Sequence, residues 1–444
     1  MTPGVRPAGA ARAPLFEVAG GRPLRGRVAV PGDKSISHRA LLLGALATGT
    51  SRLTGLSDGD DVARTAEALR RLGAEIGDGR VGPGPGGLHG AEGPLDMGNS
   101  GTSLRLLAGV VAARPWSTEL VGDASLSTRP MDRVAVPLRA MGAQVQGRTE
   151  RCLPPVRIRG GALHGIDYTP PMASAQVKSC VLLAGLGAEG ETVVREPVAT
   201  RRHTEELLAR CGADVVVGVE DGDHVVRLRP SALAPFELHV PGDPSQAAFW
   251  LVAGCVVPGS VLTVEGIYVG PGRRGFLDVL GRMGARLDED PTTGPADLAA
   301  TADVTARAGE LRGTTVEGAE ITGLDEVPVL AVAAACAAGT TEFRGVGELR
   351  VKESDRLAGV VRLVRAFGAG ADAEGDTLVV RGTGGLRAAA VEAEGDHRMA
   401  MAAAVAGLAA AGTTAVAGWE AVATSYPRFA EHLAELTGGG AGPE

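Results

Sequence analysis

The sequence repeats itself, and the repeat restricts the fold more than any single motif does. One pattern is a run with helical apolar spacing that closes on Gly-Thr or a relative and leads into a short strand. It reads LLLGALATGTSRLTG, LRLLAGVVAARPWSTELVG, VLLAGLGAEGETVVRE, WLVAGCVVPGSVLTVEG, LAVAAACAAGTTEFRG and MAAAVAGLAAAGTTAVAG. The second copy is degenerate at its turn. Between these runs lie helices closed by Gly-Ala and followed by a strand: ALRRLGAEI, PLRAMGAQV, LLARCGADV, VLGRMGARL and RLVRAFGAG, with a faded copy in HLAELTGG. Glycine just past the last periodic position ends a helix, because it accepts the left-handed backbone found there. The two patterns alternate, so the chain consists of six helix–strand–helix–strand units of about 70 residues each. First helices are expected to start near Pro31, Asn99, Met172, Pro241, Gly323 and Glu394. The fourth unit is the longest, with an expected insertion between about 287 and 322 in which PTTGPADLAA is a loop.

The units also divide in two. PGDKSISHRALLLGALATGTSRLTG at Pro31 resembles PGDPSQAAFWLVAGCVVPGSVLTVEG at Pro241, so units one and four correspond. The expected architecture is α/β with two lobes of three units. One lobe covers residues 31–240, the other 1–30 plus 241–444, with a ligand site between them. Residues 1–22, rich in Pro, Ala, Gly and Arg, are expected to be a loose extension.

Composition removes several function classes. A net charge of −8 and 3% aromatic residues argue against nucleic-acid binding. The longest apolar run, from Met401, is too short and too rich in alanine to span a membrane, so no membrane partner and a cytoplasmic location are expected. The five cysteines form no CxxC pair and no zinc spacing, which fits a reduced compartment without a metal site. Cys180, Cys255 and Cys336 fall in apolar helical runs and read as core. A small acidic ligand remains possible, because local cation clusters outweigh a negative mean.

The cations are placed to hold one. Only Lys34, Lys178 and Lys352 are lysines, and each sits in a short polar motif at a helix start. A compact ammonium does what a larger, planar guanidinium cannot. Lys34, Arg39, Arg105, Arg129, Arg201, Arg202, Lys352, Arg356 and Arg398 lie in or near first turns of helices. Serine, threonine and aspartate in such turns are ordinarily caps. Cations there oppose the helix dipole and cost stability unless an anion is bound. Asp325, Glu353 and Asp355 are interleaved with them. Each is a salt-bridge partner or a general acid/base whose pKa bound anions would raise. His38 and His397 read equally as orienting donors or proton shuttles.

In order along the chain, PGDKSISHRALLLGALA, GNSGTSLRLLAG, GDASLSTRPM, MASAQVKSCVLLAGL, TRRHTEELL, LDEVPVLAVAAA, RVKESDRL and GDHRMAMA resemble the motifs of the EPSP synthase family, the 3-phosphoshikimate 1-carboxyvinyltransferases. The likeness runs from about residue 22 to about 435. It implies the two-lobed enolpyruvyl-transferase fold, each lobe built of three βαβαββ units. It also implies a step of chorismate and aromatic amino-acid biosynthesis. The 5-hydroxyl of shikimate 3-phosphate adds to C2 of phosphoenolpyruvate, C3 takes a proton, and the tetrahedral adduct loses phosphate. No cofactor is required, the chain is expected to act as a monomer, and glyphosate is the expected inhibitor.

The resemblance also assigns roles. Lys34 touches both substrates and takes part in catalysis, with Ser35 and Arg39 on the shikimate side. Asn99 belongs to the binding set, Gly101 lets phosphoenolpyruvate approach, and Arg129 binds it. Ser174 holds the shikimate phosphate, Gln176 lies between the substrates, and Arg201 joins the phosphate site. Asp325 binds the shikimate hydroxyls and accepts the proton, while Glu353 is its partner in protonating C3. Lys352 reaches the shikimate phosphate, and Arg356 and Arg398 hold phosphoenolpyruvate. Three positions depart from patterns seen in the family: Ala175 where a second serine can stand, Arg202 in place of an aspartate, and Thr424 in place of a lysine. The related transferase acting on UDP-N-acetylglucosamine uses a reactive loop cysteine, and no cysteine here sits in a charged loop. A non-enzymatic repeat scaffold would leave the cations unclustered.

Overall fold

A computed structural model describes residues 15–292 and 300–438. Six long, mostly apolar helices start where the repeat places them: α1 (Lys34–Leu46), α3 (Gly101–Ala112), α5 (Ala175–Gly185), α7 (Pro244–Val256), α9 (Val327–Cys336) and α11 (His397–Ala409). Six second helices alternate with them: α2 (Asp60–Arg71), α4 (Asp132–Ala140), α6 (His203–Arg210), α8 (Gly275–Arg282), α10 (Arg356–Ala366) and α12 (Phe429–Leu436). Their sequences separate the two sets. In α9 every residue from Val327 to Ala335 is buried, as a helix apolar all round must be. In α2 the charged residues other than Asp61 face outward, and only one stripe is covered.

Helices α7, α9 and α11 pack on one another, and α3 packs on α5. The last contact requires glycine: a Cβ on Gly109 would lie 2.3 Å from the Cys180 carbonyl oxygen. Around these helices stand small mixed sheets. In the fifth unit the order is 315–317, 340–344, 377–381, 370–374, with the first pair parallel and the others antiparallel. Helix α9 makes the crossover between the parallel strands, and a two-residue turn makes the hairpin. Units two and three repeat this order.

Units one, four and six borrow a strand from elsewhere in the chain. Glu237–His239 pairs with Ser51–Thr54 of the first unit, and Arg25–Ala29 pairs with Val261–Glu265 of the fourth. Phe16–Ala19 pairs antiparallel with Thr413–Val416 of the sixth. This last pairing corrects the expected loose extension over residues 1–22 at Phe16–Ala19, while 1–14 lie outside the described residues. Phe16 stacks on Trp419 with ring centroids 3.7 Å apart, so one aromatic contact and a free sheet edge order a segment whose composition looked featureless. The expected loop PTTGPADLAA is corrected at its start: Pro291 and Thr292 continue the strand Arg286–Thr292, paired with Thr301–Arg307. The rest of that loop, 293–299, lies outside the described residues.

Buried apolar residues form two clusters, one between Ile36 and Val240, the other drawing on Val18–Val30 and Ala247–Leu436. The chain passes between them twice, side by side. Asp33 N–H donates to the Pro241 carbonyl at 2.7 Å, and Asp243 N–H to the Pro31 carbonyl at 2.9 Å. No helix among the described residues is long and apolar enough to cross a membrane.

Candidate active site

The starts of all six first helices open into one cleft of about 530 Å³. Lys34 and Ser35 come from α1, Thr102 and Arg105 from α3, Ser174 and Gln176 from α5, Asp243 and Ser245 from α7, Asp325 from the turn before α9, and Arg398 from α11. Each first turn carries unpaired N–H groups and partial positive charge, so the fold alone makes the cleft favour anions. The side chains add to it: ten lysines and arginines line the cleft against five carboxylates. A chain with net charge −8 thus places ten of its 44 lysines and arginines around one cleft.

Capping explains many of the polar residues at these helix starts. Asp33, Ser100, Asp243 and Asp396 accept from first-turn N–H groups at 2.8–3.2 Å. Ser174 caps α5 more loosely, accepting from Val177 N–H at 3.4 Å. Its hydroxyl is therefore the one of these caps most easily shared with a ligand.

Of the residues expected in the site, Lys34, Ser35, Arg39, Arg129, Ser174, Gln176, Arg201, Asp325, Lys352, Glu353 and Arg398 line the cleft. Lys34 Nζ pairs with Asp61 at 2.9 Å. Arg39 is buried, donating to Ser35 Oγ at 2.7 Å, Ser179 Oγ at 2.6 Å and Thr204 Oγ1 at 2.7 Å. Burial lowers its pKa to about 10. Arg105 Nη1 donates to Gln176 Oε1 at 2.8 Å, and Gln176 Nε2 donates to Thr102 Oγ1 at 3.0 Å. A Cβ on Gly101 would meet Arg105 Nη1 at 2.9 Å and Arg129 Nη1 at 3.6 Å, so this glycine keeps two arginines close to the helix start.

Asn99, Gly101 and Arg356 stand behind the lining rather than in it. Asn99 accepts from Arg129 through its Oδ1 and donates to Asp123 at 2.7 Å, so it aims an arginine. Arg356 has no solvent exposure and is consumed by carboxylates: Asp396 at 2.8 Å, Glu353 at 2.6 Å and Asp325 at 3.3 Å. It ties the two candidate proton-transfer groups to one guanidinium.

Asp325 also pairs with Arg201 at 3.1 Å and lies 3.5 Å from Arg398 Nε, while Glu353 lies 3.8 Å from Arg129. Burial alone would push both carboxyls up. For Asp325 the charges of Arg398, Arg201, Lys352 and Arg356 more than reverse this and hold it well below the usual carboxylate range. For Glu353 the charges of Arg356, Arg129 and Lys34 do the same. Neither carboxyl is therefore raised in this structure; both are held ionised by the cations around them. Burial lowers the pKa of His397 to about 3 and holds that of His38 well below its ordinary value, with Lys34 reinforcing both. Both shifts favour the neutral imidazole. His38 Nδ1 lies 2.7 Å from Thr65 Oγ1.

Sequence reasoning singled out Arg105 without giving it a place in the site, and missed three cations of the lining, Arg133, Arg151 and Arg273. Arg105 was visible as a first-turn cation in GNSGTSLR. Arg273 is buried between Asp33 and Asp243 at 3.0 and 2.6 Å, and Arg133 meets Glu348 at 3.1 Å. Neither had a sequence signal that separates it from a surface arginine. Of the three departures, Ala175 lines the cleft, whereas Arg202 and Thr424 do not. Burial raises the thiol pKa of Cys211, Cys255 and Cys336 to about 12 and that of Cys180 higher still, which leaves them inert.

Six α/β repeats around an electropositive cleft define an enolpyruvyl-transferase fold. The enolpyruvyl transferase NikO from Streptomyces tendae superposes with a TM-score of 0.75 at 21% identity, covering 96% of this chain and 98% of NikO. The family described as EPSP synthase (3-phosphoshikimate 1-carboxyvinyltransferase) matches residues 18–433, and the chain belongs to it. A 3-phosphoshikimate 1-carboxyvinyltransferase of Gloeobacter violaceus is 50% identical over 95% of this chain and 98% of its own length. One from Shouchella clausii is 46% identical over 93% and 96%. An EPSP synthase structure from Acinetobacter baumannii has a TM-score of 0.82 at 40% identity, covering 94% of this chain and 97% of that one.

Proposed function

We propose that this chain transfers the enolpyruvyl group of phosphoenolpyruvate to the 5-hydroxyl of shikimate 3-phosphate, releasing phosphate and 5-enolpyruvylshikimate 3-phosphate. The observation that carries this reading is the convergence of six helix starts and ten cations on a cleft holding Asp325 and Glu353. Two phosphates and two carboxylates need such a surplus of positive charge, and arginine suits their flat faces.

The roles are those the family resemblance implies, and the positions of the residues around the cleft support them. Asp325, kept deprotonated by its arginines, takes the proton of the attacking hydroxyl. Glu353 delivers a proton to C3. In the ligand-free site it is ionised, and bound substrate anions facing Lys34 and Arg129 offset the cations that depress its pKa. Lys34, Ser35, Arg39, Ser174, Gln176, Arg201 and Lys352 serve the shikimate side. Gly101, Arg129, Arg398 and Lys34 serve phosphoenolpyruvate, with Asn99 aiming Arg129 and Arg356 fixing the two carboxylates. The cleft closes between two lobes, 31–240 and 1–30 plus 241–444, expelling water and strengthening these charge contacts. The enzyme acts as a cytoplasmic monomer without a cofactor.

Phosphate release from phosphoenolpyruvate, measured with and without shikimate 3-phosphate, tests the reading. Release only with both supports it. No release with shikimate 3-phosphate, but release with another hydroxylated acid, keeps the chemistry and overturns the substrate. Because Gly101 is unsubstituted and no side chain crowds Arg129 from that position, glyphosate is expected to compete with phosphoenolpyruvate. Its inhibition should weaken in proportion as phosphoenolpyruvate rises. Full activity at high inhibitor and low phosphoenolpyruvate would rule this out.

A further inference from the structure

We propose that Lys178 is a positioning residue whose buried ammonium clamps both ends of the loop 197–202, and that this loop presents Arg201 to the acceptor side of the cleft. The inference rests on the functional reading above. Lys178 is absent from the cleft lining and has no solvent exposure. Its Nζ lies 2.7 Å from Glu196 Oε2 and 2.7 Å from Glu205 Oε1. Glu196 ends the strand Thr192–Glu196, and Glu205 sits in the first turn of α6, so the two carboxylates bracket the loop.

Within the loop, Thr200 Oγ1 donates to the other oxygen of Glu196. Val198, Ala199, Thr200 and Arg201 line the cleft, and Arg201 reaches across to Asp325 and the Thr322 carbonyl. The neighbours of the clamp point the same way. Ser179, next to Lys178, and Thr204, next to Glu205, are bonded at 2.7 Å and jointly hold Arg39. One ammonium thus fixes α5, α6 and the loop between strand and helix at a point adjacent to two acceptor-side arginines.

Lys178 meets one oxygen of each glutamate from a single nitrogen, the point contact that a compact ammonium makes. Glu196, Glu205 and His224 have donor atoms within 4.8 Å of one another, as a metal site would. The ammonium already bridges the two glutamates, which argues for a clamp instead.

The test compares Lys178→Met, Glu196→Ala and Val226→Ala. Glu196→Ala leaves Lys178 paired with Glu205, a charge-balanced pair, and releases only the loop's first anchor. Val226 is a buried core residue of the same sheet and serves as a control for lost stability. KM for each substrate, thermal midpoint and amide hydrogen exchange of 197–202 are measured. Glu196→Ala is expected to raise KM for shikimate 3-phosphate about tenfold, since small misplacements of positioning groups have effects of this order. KM for phosphoenolpyruvate should stay within about twofold on the same reasoning. Loop amides should exchange faster while those of α5 do not. Lys178→Met should do the same more strongly, and Val226→Ala should lower the midpoint without moving either KM.

Equal changes in both KM values, or none, in Glu196→Ala would overturn the inference, as would unchanged loop exchange. If Lys178→Met fails to fold, Glu196→Ala decides. Exchange needs no substrate, so a wild-type chain inactive on shikimate 3-phosphate would defeat the functional reading while the clamp is still judged.

Discussion

Asp325→Asn is expected to lower the rate of phosphate release by about 10³-fold, the scale of a lost general base. Asparagine keeps the shape and an acceptor oxygen, so shikimate 3-phosphate should still raise the thermal midpoint of the variant. The change also removes a negative charge from beside Arg201, Arg356 and Arg398. Those cations then face the substrate anions unopposed, and KM for phosphoenolpyruvate should stay level or fall. A fall in rate matched by a rise in that KM would mean that Asp325 binds and does not transfer protons. Glu353→Gln should lose rate on a similar scale. The double variant should lose less than the product of the two, because both act on one proton-transfer sequence.

Arg356→Met should destabilise the ligand-free protein by about 3–5 kcal/mol, the range for breaking a buried ion pair from one side. Its three carboxylate partners are Asp325, Glu353 and Asp396, and Asp396 has no solvent exposure. The loss should depend on pH, and its sign follows from the shifts. In the native chain Asp325, Glu353 and Asp396 titrate below their ordinary values. They contribute stability above the unfolded carboxylate range, about pH 4, and that contribution is lost as pH falls through the folded values. Without Arg356, burial prevails over fewer counter-ions, and the folded values move up. The penalty should therefore be greatest near pH 7 and shrink toward pH 4 and below. Denaturant unfolding at several pH values measures it. A difference between native and variant that is flat across this range would show that the arginine is held by packing alone.

Much of the fold was legible because a repeat reports itself. Among the described residues, twelve α-helices end at the Gly-Thr and Gly-Ala patterns, since helix termination is a local matter of backbone conformation and apolar spacing. What was misjudged depended on partners far along the chain. Phe16–Ala19 is a strand because the sheet of the sixth unit has a free edge and Trp419 offers a ring, neither of which FEVA contains. Pro291 and Thr292 read as loop, yet they continue a hairpin strand paired with Thr301 and Ala302.

The site divides in the same way. Lys34, Arg129, Arg201, Asp325, Lys352, Glu353 and Arg398 could be picked out because a charged residue at a helix start is locally anomalous. Arg356 and Asn99 were picked out too, but their place behind the lining was not visible. Lys178 was seen to be unusual and could not be given a role, because its partners Glu196 and Glu205 look like ordinary surface charges in sequence.

The sequence by itself determined the six repeats, the clustering of cations at helix starts and the family to which the motifs belong. Each follows from spacing and residue type within a few turns of chain. Only the tertiary structure decided which cations meet the cleft, which lie beneath it, and that Asp325 and Glu353 share Arg356 and are held ionised. Burial and counter-charge act through space. The groups that set them, Arg201, Arg356 and Arg398 around Asp325, are brought together from separate units by the packing of helices that are mostly apolar.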